Sequence, residues 1–131
     1  MAVGLSSTNY ANKVLDHLHR AQASTAPAGN FVKLHTGDPG ASAASAASSV
    51  TTRPSATFNA ASAGSISMSN TPTWSSWAGT SPETVTHLSV WDASTAGTFL
   101  YSVALASSKI VQTGDSLTLA SLSVSLSPLA A

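Results

Sequence analysis

Val85-Thr-His-Leu-Ser-Val-Trp91, Asp92-Ala-Ser-Thr-Ala-Gly97 and Phe99-Leu-Tyr-Ser-Val-Ala-Leu105 are the stretch that decides the fold. Phe99, Tyr101, Val103 and Leu105 alternate with Leu100, Ser102, Ala104 and Ala106, as in an antiparallel strand with one face in a core. In the run before it, Val85, His87, Ser89 and Trp91 fall on one side, and Thr86, Leu88 and Val90 on the other. Small, polar and Gly residues lie between the two runs, where a chain reverses. The spacing predicts a β-hairpin.

Downstream, Ile110 and Val111 lead into a turn at Thr113-Gly-Asp115. The last apolar run then slips phase: Leu117 and Leu119 are odd, whereas Leu122, Val124 and Leu126 are even. A regular strand would turn its apolar face to water there, so a bulge or tight turn is expected near Ala120-Ser121. Beyond it Ser121, Ser123, Ser125 and Ser127 should point outward, with Pro128 as the stop.

Upstream, Thr73 to Gly79 holds Trp74 and Trp77, and Phe58, Ile66 and Met68 suggest two short strands interrupted at Gly64. Phe31-Val-Lys-Leu-His-Thr36 alternates as a strand, with Phe31, Lys33 and His35 on one face. Gly37-Asp-Pro-Gly40 is a turn: Pro39 fixes φ and Asp38 can accept from nearby amides. Nothing larger than Ala or Ser occurs from Ala41 to Ser49, so a mobile or extended surface loop is expected over 41–52. Tyr10, Val14 and Leu18 recur four apart beside Ala11 and Leu15, which predicts a helix over 7–23, capped by Ser7 or Thr8. Asp16 and Arg20 suit an exposed pair on that helix. Its apolar stripe either covers a core edge or docks on a partner. The whole reads as one domain, 1–131: a mainly β chain, an antiparallel β-sandwich or small barrel over 30–127, with one N-terminal α-helix.

Composition narrows the function. Of 131 residues, 23 are Ala, 25 Ser and 15 Thr, nearly half the chain. Five basic residues balance five acidic ones, and only 8% of the chain is charged. No nucleic-acid partner is expected, because a phosphate backbone requires a basic face. A net charge of zero favours association over dispersal. Without cysteine there is no disulfide, thiolate metal site or Cys nucleophile. Met1 to Asn9 is not a secretory signal, and no apolar run is long enough for a membrane span.

The search for chemistry yields no catalytic, cofactor-binding or metal-binding residue. The nucleophile elbow, P-loop, zinc-protease, dinucleotide and EF-hand patterns are all missing. Asp16, Asp38, Glu83, Asp92 and Asp115 read as turn and cap residues. His17 and His19, two apart, lie roughly 200° around a helix from each other and cannot share a metal. His35 and His87 could meet across a sheet, but no third ligand presents itself. Trp74 and Trp77 either fill the core or stack on a ligand or partner. The candidate interface residues are Trp74, Trp77, Tyr10 and Arg53.

Four segments occur in order: Phe31-Val-Lys-Leu-His-Thr-Gly-Asp-Pro-Gly40, Val85-Thr-His-Leu-Ser-Val-Trp-Asp-Ala93, Gly97-Thr-Phe-Leu100 and Gly114-Asp-Ser-Leu117. Together with the preceding helix they resemble a family of small tailed-bacteriophage virion proteins, of the tail-fibre-like, minor tail or capsid decoration kind. Between the first turn and Arg53 the family tends to carry a Gly-Gly-Tyr-like stretch, which Ala and Ser replace here. The resemblance implies a non-enzymatic structural protein of the virion, assembled in the host bacterial cytoplasm. It also implies attachment in multiple copies to other virion proteins, the major capsid or tail proteins, and a homo-oligomer. His35, Asp38, Pro39, Gly40, His87, Trp91 and Asp92 match its pattern as architectural residues. The free edges of a small open sheet would be ready strand-addition sites. The alternative reading is a receptor- or carbohydrate-binding module of the tail tip, using Trp74 and Trp77.

Overall fold

The computed structural model describes residues 3–127 and 130. It is mainly β, with 34% strand and 11% helix, and its antiparallel sheets do not close into a barrel. A π-helical turn, Ser7–Ala11, runs into helix α1, Asn12–Arg20. The strands are β1 (Phe31–His35), β2 (Ser65–Ser67), β3 (Thr73–Trp74), β4 (Glu83–Trp91), β5 (Phe99–Val111), β6 (Leu117–Thr118) and β7 (Ser123–Ser125).

The expected hairpin is β4–β5, and β1 adds to β4 to give a sheet of order β1-β4-β5. Asp92 closes the hairpin: its Oδ1 accepts from Thr98 N at 2.6 Å, and its own N–H donates to Thr98 O at 3.1 Å. Gly97 takes φ +76° there, and a Cβ on it would lie 2.5 Å from Asp92 Oδ1. Glycine is thus required both by conformation and by space.

Alternation fails inside β4. The pairing jumps from Val85–Lys109 to His87–Ala104, so β5 carries extra residues opposite Thr86. Such a bulge bends and twists the ladder. Val85, expected beside His87 and Ser89, is instead wholly buried in the same cluster as Leu88 and Val90.

The two other sheets are short ribbons, β2–β7 and β3–β6. The phase slip at Ala120-Ser121 is the place where the chain leaves the ribbon with β3 and joins the ribbon with β2. It is a change of sheet, with no bulge inside one strand. Ser121, Ser123, Ser125 and Ser127 are exposed as expected, while the stop at Pro128 lies outside the described residues. Trp74, Leu117, Leu122 and Val124 from these ribbons pack with Val32, Leu34, Leu88 and Val90 of the sheet. The core therefore lies between the three-stranded sheet and the ribbons.

Part of the sheet's edges is covered, contrary to the free edges expected. On the β1 side, Val32 N donates to Pro54 O (3.0 Å) and Ala56 N to Asn30 O (2.7 Å). Further along, Thr36 N donates to Ala46 O (2.8 Å) and Ser48 N to Leu34 O (3.0 Å). On the β5 side, Ser6 N donates to Leu100 O (2.8 Å) and Ser102 N to Gly4 O (2.9 Å). Irregular segments thus satisfy backbone groups that would otherwise template another strand.

The helix expectation changes in detail. Ser6 caps the helical segment, accepting from Asn9 N at 3.2 Å, and the helix stops at Arg20 because Ala21 turns left-handed at φ 52°. Residues 21–28 are all exposed, so extending the helix to 23 would bury nothing. The 41–52 segment is tied down, with Ala43 and Ser48 buried.

Candidate attachment and binding surfaces

Trp74 and Trp77 lie in the core, 4% and 2% exposed. Each satisfies its indole N–H on a backbone carbonyl, Trp74 on Thr52 O at 2.9 Å and Trp77 on Thr80 O at 3.0 Å. Neither ring is open to a ligand. Tyr10 packs edge-on against Tyr101, with ring centroids 5.8 Å apart, and so anchors the helical segment to β5. Tyr101 is buried with its hydroxyl unpartnered, and burial, reinforced by Tyr10, pushes its pKa up.

Helix α1 packs chiefly against the π-helical turn before it. Beyond Tyr10 its apolar stripe leaves the core: Leu15 is 56% and Leu18 66% exposed. With Leu5, Val14, Ile66 and Val124, Leu15 lines an apolar groove of about 480 Å³ between the helix and the β2–β7 ribbon. Arg20 and Asp16 pair at 3.1 Å on the helix's polar side, as expected.

Arg53 sits elsewhere, over the indole of Trp91 with Cζ 4.3 Å from the ring centroid. Its Nη1 donates to Ala93 O and Ala96 O, which fixes it against the tip of the β4–β5 hairpin. Lys33 approaches the same ring, with Nζ at 5.7 Å. Pairing of β1 with β4 explains the meeting, since Lys33 lies opposite Ser89, two residues from Trp91. Sequence reading had Lys33 and Trp91 on strands but not the register that joins them.

His35, Asp38 and Asp115 each bond a nearby backbone group. His35 and His87 are opposite one another on β1 and β4. His35 is wholly buried, with Nδ1 2.9 Å from Ser45 O and Nε2 2.7 Å from Ser89 Oγ. A carbonyl only accepts, so Nδ1 carries the proton and Nε2 accepts from the Ser89 hydroxyl. Trp91 Nε1 in turn donates to Ser89 Oγ at 2.8 Å. Asp115 accepts from Gln112 N in its turn, and Asp38 from Gly40 N. Among the described residues, no group of three or more His, Cys, Asp or Glu is placed to hold a metal. No described helix is long and apolar enough to cross a membrane.

Burial lowers the His35 pKa, an effect the Ser45 carbonyl opposes and Lys33 reinforces. As pH falls below about 6.5, the unfolded chain therefore takes up this proton before the folded one does. The stabilisation is complete above that pH and declines below it. Urea midpoints measured from pH 7 to 5 should fall, and His35→Gln should flatten the decline. An equally steep decline in the variant would assign it to other groups.

No curated protein matches the chain. A family model does, over residues 5–127, and its description reads Podophage GP4 fiber I protein gp80. That match spans both ribbons, the hairpin sheet and the helix, and by it the chain belongs to this family of phage fibre proteins.

Proposed function

We propose that this protein is a single-domain structural subunit of a phage fibre, held in the virion in multiple copies by contacts with other virion proteins and assigned no reaction. The observation that carries the reading is the exposed stripe of Leu15 and Leu18 beside the apolar groove. A helix whose apolar face is left in water on an otherwise hydroxyl-rich surface fits a partner surface. The fibre description of the family supports a tail position over a shell position. Attachment through buried aliphatic groups depends weakly on salt, and repetition on a symmetric particle strengthens it.

The double variant Leu15→Glu, Leu18→Glu tests this. Both positions are exposed, so folding stability should change by no more than about 0.5 kcal/mol per site. Incorporation into particles should collapse when the tagged variant is produced during infection and purified virions are immunoblotted. Normal incorporation would remove the helix from the interface. Copy number per particle tests the position: a handful supports the fibre, and hundreds support a shell role.

A further inference from the structure

We infer that the Trp91 side of the β4–β5 hairpin is a second docking surface, where Lys33 and Arg53 receive an aspartate or glutamate side chain of a different virion protein. The pairing of β1 with β4 sets two of the chain's five basic residues at one indole, Lys33 Nζ 5.7 Å and Arg53 Cζ 4.3 Å from its centroid. Like charges held side by side cost stability unless an anion answers them. Arg53 is stapled through Nη1 to the Ala93 and Ala96 carbonyls, and its remaining nitrogens have no hydrogen-bond partner among the described residues. The Lys33 ammonium has none among them either, and burial together with the Arg53 charge lowers its pKa.

The anion has to come from another protein. All five acids of the chain, Asp16, Asp38, Glu83, Asp92 and Asp115, already bond an arginine, a serine hydroxyl or a backbone amide. A second copy therefore has no idle carboxylate to offer.

Shape selects a protein surface over a small free anion. The groove beside the hairpin tip, walled by Trp91 and Phe99, takes in neither Lys33 nor Arg53. The cations stand on an open face, whereas small-molecule sites are concave. A carboxylate fixed on a partner's surface needs no cavity, and Arg and Trp are over-represented at the centres of protein interfaces. The stapled guanidinium presents its outer donors to a planar carboxylate with little ordering left to be done on binding. Two cations are too few to follow a nucleic-acid backbone. This ionic contact adds to the apolar attachment through Leu15 and Leu18 and does not depend on it.

Intact virions are treated with a water-soluble carbodiimide, which joins an ammonium to a carboxylate where the two are in contact, and their peptides are analysed by mass spectrometry. Lys33 should be recovered in an amide with an Asp or Glu of another virion protein. Lys33 linked only to this chain's own acids, or unlinked while other virion lysines are linked, overturns the inference. Lys33→Met keeps the stem and removes the repulsion with Arg53, so the thermal midpoint should stay in place, which separates lost docking from lost folding. That variant should leave purified virions about two- to fivefold faster at low salt, the scale of one exposed ion pair, and its release should respond less to added salt. Lys33→Glu sets an anion against the partner's acid and should be released about tenfold faster or more. Release of both variants at the parent rate overturns the inference as well. Such failures leave attachment through α1 standing, since neither Leu15 nor Leu18 belongs to this face. Normal incorporation of the α1 double variant strikes that reading and leaves this one.

Discussion

Trp77→Ala should cost about 3–5 kcal/mol of folding stability, the range for emptying a buried aromatic site. The ring is 2% exposed, in a chain where nearly half the residues are Ala, Ser or Thr and few large side chains fill the core. Trp77 also joins two segments through its backbone: its N–H donates to Asp115 O, and its carbonyl accepts from Gly114 N. A cavity there loosens both the β3 region and the turn after β5. The loss is a large part of the roughly 5–15 kcal/mol a domain possesses. Urea unfolding should show a lower midpoint with an unchanged slope. Trp77→Phe should fall between, since the Thr80 carbonyl loses its donor at about 1–3 kcal/mol. A cost below about 1 kcal/mol for Trp77→Ala would mean that the ring is not packed as core.

The same residue shows where sequence reading stops. Trp74 and Trp77 read first as core filling and second as ligand contacts, because a pair of indoles between turn residues has no period to say which way it faces. Local signals carried further. Alternation across Phe99–Leu105 located β5, Asp92 and Gly97 marked the turn, and the Asp16–Arg20 spacing gave the observed helical pair. The four ordered motifs pointed to a phage virion protein, and the family match over 5–127 supports the fibre part of that reading.

What failed depends on distant partners. The phase slip at Ala120-Ser121 was visible, but its cause is a choice between β3 and β2, both far upstream. Val85 followed strict alternation only until the bulge opposite Thr86. The stripe on α1 was plain, while its exposure depends on how far the helix stands from the sheet. The 41–52 segment is the irregular surface loop expected, but its anchorage was not legible, because hydropathy registers only apolar groups and this segment is held by polar ones.

Glu83 is the chief of those polar anchors, and Glu83→Ala should lose about 2–3 kcal/mol, the scale of hydrogen bonds to a charged group left unmade. The carboxylate, 9% exposed, accepts from the Ser48 hydroxyl through Oε1 and from Ser49 N at 3.1 Å through Oε2. The Ser48 hydroxyl oxygen accepts in turn from Val50 N at 3.1 Å, and Ser49 Oγ from Thr80 N at 2.8 Å. One side chain at the start of β4 therefore organises residues 48–50 and the approach to β4. Removing it strands a buried hydroxyl and an amide together. Burial alone would raise the Glu83 pKa, but the bonds from Ser48 and Ser49 outweigh it and hold the carboxyl below its ordinary 4.5. The stabilisation is then full above the unfolded value and is lost as pH falls through the lower folded one. Stability should therefore decline in two separate ranges, first below about 6.5 as the unfolded chain protonates His35, then below about 4.5 for Glu83. Glu83→Gln should remove the second decline and keep the first. Because Glu83 holds Ser48 and Ser49, hydrogen exchange on acidification should open residues 48–50 before the β4–β5 ladder. Simultaneous opening of both would show that the segment has no separate anchorage.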